Sequence, residues 1–91
     1  MENLSKFRVC DELFWLQIHK NPAGLFNARY CLVSSEDPVI DIVAAIFLGE
    51  CFRLEAPRFT EFAAFDWARR DAERHILYGW MPPRSELREW S

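Results

Sequence analysis

Three cysteines, Cys10, Cys31 and Cys51, and two histidines, His19 and His75, are the side chains best suited to chemistry in this 91-residue chain. A thiol beside an imidazole and a carboxylate would make a nucleophile with its base. No local signature supports that arrangement: the chain contains no Gly-x-Ser-x-Gly, no His-Glu-x-x-His, and only three glycines from which to build a phosphate-cradling loop. Three Cys and two His also suffice in number for tetrahedral zinc, but no two cysteines form the close pair that a zinc ribbon or knuckle begins from. The cysteines are therefore expected on three different strands as small hydrophobes, His19 at a hairpin end and His75 on a helix surface, with no metal, no cofactor and no catalytic residue.

A second constellation lies further along. Arg69, Arg70 and Arg74 stand among Trp67 and Tyr78, and guanidinium with ring is what single-stranded nucleic acid stacks upon. Asp66, Asp71 and Glu73 are interleaved with these arginines and cancel most of their field, which makes nucleic-acid binding the lesser expectation. Trp, Tyr and Arg also dominate protein interfaces. Trp67 sits about 140° from Phe62 on a helical wheel, off the apolar stripe. Trp67, Arg70, Arg74, Tyr78, Trp80, Leu87 and Trp90 together form the expected partner-binding surface.

Composition narrows the classes. The apolar fraction is 51% and the aromatic fraction 15%, too high for a disordered chain and enough for one core without staples. The net charge of −3 gives no strong field of either sign, and nine of the bases are Arg. The chain opens Met-Glu-Asn, without the basic and then apolar start of a secretory leader, and its cysteines are odd in number. A reducing, cytoplasmic setting is the expectation. The longest uncharged apolar run, Ile42 to Gly49, is far short of a bilayer span.

The elements that must position these residues follow from periodicity and punctuation. The first residues are polar and read as frayed. Phe7 to Lys20 reads as a strand in its second part, with Phe14, Leu16 and Ile18 on one face and Leu13, Trp15, Gln17 and His19 on the other; a helix with Cys10, Leu13, Phe14 and Gln17 on one stripe competes for the front. Asn21-Pro22-Ala23-Gly24 has β-turn composition, and Leu25 to Ser34 alternates again, which predicts a hairpin. Asp37 to Gly49 is almost wholly apolar. Asp37 as cap, Pro38 at the first helical position and Gly49 as stop predict a helix, although its β-branched residues leave a strand open. Because it has almost no polar side, burial all round is expected, between the hairpin and the apolar face of a later helix.

Glu50 to Glu55 suits a short strand ended by Ala56-Pro57. Phe59 to Tyr78 predicts a long amphipathic helix capped by Thr60 and stopped at Gly79, with Ala64, Phe65, Ala68, Ala72 and Ile76 inward and the pairs Asp66–Arg70 and Arg69–Glu73 on its surface. Met81-Pro82-Pro83 begins a stiff tail over residues 81–91. The expected fold is a single α+β domain, a small antiparallel sheet of about three strands with two helices, in the order β-β-α-β-α plus the tail. The expected function is non-enzymatic: binding another protein, or a second copy of itself, as an inhibitor, immunity or adaptor protein of the kind phages and mobile elements often encode.

Overall fold

The computed structural model describes residues 2–78, and side chains from residue 4 onward. Strand β1 (Glu2–Val9), strand β2 (Glu12–Lys20), strand β3 (Phe26–Leu32), helix α1 (Pro38–Leu48), strand β4 (Phe52–Arg53) and helix α2 (Glu61–Leu77) follow one another along the chain. The strands form one antiparallel sheet in the order β1-β2-β3-β4. The fold is α+β, as the patterning predicts, with one strand more than expected and the order β-β-β-α-β-α.

The extra strand is β1. The segment expected to be frayed instead pairs residue for residue with β2, from Glu2 opposite His19 to Val9 opposite Glu12. Its turn is made by Cys10 and Asp11, both with positive φ (50° and 67°), the two-residue geometry that matches strand twist and normally selects Asn-Gly. Cys10 is therefore a turn residue rather than a strand residue. The next turn follows its expected chemistry: the Asn21 side chain accepts from the Ala23 and Leu25 amides at 3.0 Å each, and Gly24 takes φ 84°.

Alternation along the strands sends side chains to two separate cores. On one face Phe7, Val9, Phe14, Leu16, Ile18, Ala28, Tyr30 and Leu54 pack against Ala64, Ala68 and Ala72 of α2. The three alanines are fully buried, so the backbone of α2 lies close on the sheet. Thr60 caps this helix by accepting from the Ala63 amide at 3.0 Å. On the other face Trp15, Cys31 and Val33 pack against Ile42 and Ala45 of α1.

Helix α1 has the predicted boundaries. Asp37 Oδ1 accepts from the Val39 and Ile40 amides at 2.9 and 3.4 Å, and Gly49 closes the last turn at φ 74°. Its expected environment is wrong. The two helices lie on opposite faces of the sheet, so the apolar face of α2 never reaches α1. Within α1 only Asp41, Ile42 and Ala45 are buried.

Candidate functional site

Helix α1 is inverted relative to an ordinary surface helix, which turns its polar residues to water. Its one charged residue, Asp41, points inward, and its outer arc is apolar. Val39, Ile40, Val43, Ile46, Phe47 and Leu48 are all exposed, from 43% for Ile46 to 89% for Phe47. The polar groups that could dilute this arc stand only at its ends, with Glu36 and Asp37 before the helix and Glu50 after it, all exposed.

Asp41 explains how such a helix is held. Its Oδ2 accepts from the Trp15 indole at 2.7 Å and from the Ser34 and Ser35 amides at 2.8 and 2.9 Å, and its Oδ1 accepts from the Ser35 hydroxyl at 2.9 Å. Burial pushes this carboxyl up, but the donors from Ser35, Trp15 and Ser34 outweigh burial and hold it below the ordinary carboxylate range. The carboxylate thus ties α1 to the centre of the sheet and to the end of β3. Lys6 Nζ lies 4.8 Å over the Trp15 ring.

The surface expected on α2 is organised differently. Trp67 is half-buried and meets the Tyr30 ring edge-on at 5.5 Å, so it packs on the core. Arg70 pairs with Asp66 at 2.9 Å, as the spacing predicts, while Arg69 pairs with Asp66 at 3.4 Å instead of with Glu73. Arg74 pairs with Asp71. Arg58, Trp67, Arg70 and Arg74 line a groove of about 440 Å³ in which Asp66 and Asp71 also stand, so its charge is largely balanced. Tyr78 is exposed at the end of α2. Trp80, Leu87 and Trp90, the Gly79 stop and the 81–91 tail lie outside the described residues.

His75, expected on the surface, is buried. Its Nδ1 is 2.9 Å from the Tyr30 hydroxyl, which itself donates to Asp71 Oδ2 at 2.6 Å. Having one proton and giving it to the carboxylate, Tyr30 accepts from His75, which makes His75 the neutral Nδ1–H tautomer. Desolvation, and secondarily the Arg74 charge, lower the His75 pKa against the pull of Asp71; burial and the Asp71 hydrogen bond push Tyr30 far up. Tyr30 thus stays a hydroxyl and, at 1% exposure, is closed to any substrate. This Tyr-Asp-His group pegs α2 to β3.

The thiols are scattered. Cys10 is exposed in its turn, Cys31 is buried against α1 with its pKa raised to about 12 chiefly by desolvation, and Cys51 is half-buried beside it. Among the described residues no three ligating side chains meet in a group that could hold a metal, and no helix is long and apolar enough to cross a membrane. No protein-family model matches the chain, and no curated protein or solved structure is significantly similar to it.

Proposed function

We propose that this protein is a non-enzymatic binding module, of the inhibitor, immunity or adaptor kind, that docks another protein on the outer arc of α1. The observation that carries this reading is a helix with its only charged side chain turned inward and six large apolar side chains turned to water. The largest apolar patch of a typical monomer is about 300–600 Å². Six large apolar side chains exposed on one helix are the kind of patch that marks an interaction site. The class of function is the one expected from the sequence, but the surface moves from α2 to α1: the arginines of α2 are paired with acids on their own helix and Trp67 packs on Tyr30, which also weakens a nucleic-acid reading of Arg69, Arg70 and Arg74.

Charge favours a different protein over a second copy. Antiparallel packing of α1 on its own mate would set Glu36 and Asp37 against Glu50 at both ends, whereas a groove rimmed by Lys or Arg complements all three. The test pairs Phe47→Glu with Arg70→Gln as baits in source-cell extract, with sedimentation of each protein alone. A partner held by wild type and by Arg70→Gln but lost with Phe47→Glu, from a protein that sediments as a monomer, is the expected result. A wild-type dimer that Phe47→Glu dissociates would assign the arc to self-association, and retention of every partner by Phe47→Glu would remove it as a site.

A further inference from the structure

Helix α1 covers only the Trp15–Cys31–Val33 end of its sheet face. Beside it the same face is open, and there β2, β3 and β4 enclose a hollow of about 410 Å³, within the range of small-ligand sites. Register fixes what enters it. Gln17 is opposite Arg29, His19 is opposite Asn27, and Arg29 is opposite Arg53, so all five side chains project from one face.

Like charges set directly opposite on neighbouring strands destabilise a sheet. Arg29 and Arg53 occupy such a pair, and neither has an ion-pair partner among the described residues; no carboxylate lines the hollow. This differs from α2, where each cation of Arg69, Arg70 and Arg74 meets an aspartate. The Arg29 guanidinium is also aimed: its Nε donates to Gln17 Oε1 at 2.5 Å, which leaves its terminal nitrogens to turn toward a ligand. Two planar guanidinium forks with no opposing acid make a set of donors lacking its anion, with two carboxamides and an imidazole standing beside them.

We infer that the hollow between β2, β3 and β4 is a binding site for a small phosphate-bearing molecule, its phosphate held between Arg29 and Arg53 and its remainder lying over Gln17, Asn27 and His19. A phosphate dianion accepts two bidentate guanidinium contacts at once and removes the repulsion between them. The site is independent of α1's outer arc, because its residues lie on the sheet and its ligand is a small molecule.

The test follows the arginine side-chain N–H signals by NMR during titration with inorganic phosphate and, separately, ribose 5-phosphate, with chloride adjusted to constant ionic strength. Saturable shifts at Arg29, Arg53 and the His19 ring are expected for both. Arg53→Gln, at an exposed position, should leave the amide spectrum of α2 and β1 in place and weaken binding about tenfold or more. Arg53→Lys keeps the charge without the fork and should recover binding only in part. Arg70→Gln should change nothing. Shifts that chloride reproduces, affinity unchanged in Arg53→Gln, or equal affinity for succinate would each overturn the assignment.

Discussion

Tyr30 does the most of any single residue: it fills the centre of the larger core, stacks on Phe52, and joins Asp71 to His75. The histidine in that group makes stability depend on pH. Its folded pKa lies below the ordinary 6.5, so the unfolded chain binds the proton more readily, and stability is complete above about pH 6.5 and falls as pH drops toward the folded value. Asp41, also depressed, adds a second limb that begins below 3.8. Urea midpoints measured from pH 8 to 3 should show both limbs, and His75→Gln should flatten the first while leaving the second; an unchanged first limb would refute the assignment to His75. Neither residue's place was legible from its neighbours. His75 continues the stripe of Ala64, Ala68 and Ala72, but an imidazole there reads as surface until Tyr30, 45 residues away, supplies its partner. Asp41 reads as the polar flaw of an apolar run until the Trp15 indole, 26 residues away, claims it.

Among the elements, those with punctuation were readable. Asp37, Pro38 and Gly49 bound α1, Thr60 starts α2, and Asn21 to Gly24 turn β2 into β3, because in each case the side chain or backbone freedom that makes the boundary is local. Strand β1 escaped because its turn is Cys10-Asp11, which lacks a glycine, and because Phe7 and Val9 alone are buried among the described side chains of the strand. The alanine stripe of α2 was legible as apolar, though its closeness to the sheet was not. That closeness sets a prediction: Ala68→Leu, in a site with no exposed surface, should destabilise the fold by about 1–3 kcal/mol in urea unfolding. Ala44→Leu, on the exposed side of α1, should stay within about 0.5 kcal/mol of wild type. Equal losses at the two positions would mean that α2 does not lie so close.

Across the whole molecule, the sheet is a wall between two unequal cores. The apolar character of Asp37 to Gly49 predicts one core enclosing it, since a run with so few polar residues normally needs cover on every side; periodicity cannot say whether that cover comes from the same chain. The two proposed surfaces share one face of that wall and differ in chemistry, an apolar arc with acidic ends on α1 and a cationic hollow on the open part beside it, so salt should weaken phosphate binding far more than it weakens docking on α1. The inequality of the cores has a consequence for motion. The larger core ties α2 to three strands, whereas α1 is held through Ile42, Ala45 and the Asp41 hydrogen bonds alone. Cooperative units of a fold open separately when few contacts join them. Native-state hydrogen exchange in low denaturant should therefore find the amides of α1 exchanging together through a partial opening, at a lower free energy than those of β2 and α2, which exchange only when the molecule unfolds. Equal protection in α1 and β2 would contradict this. The helix offered to a partner is then also the part of the molecule that leaves it most readily.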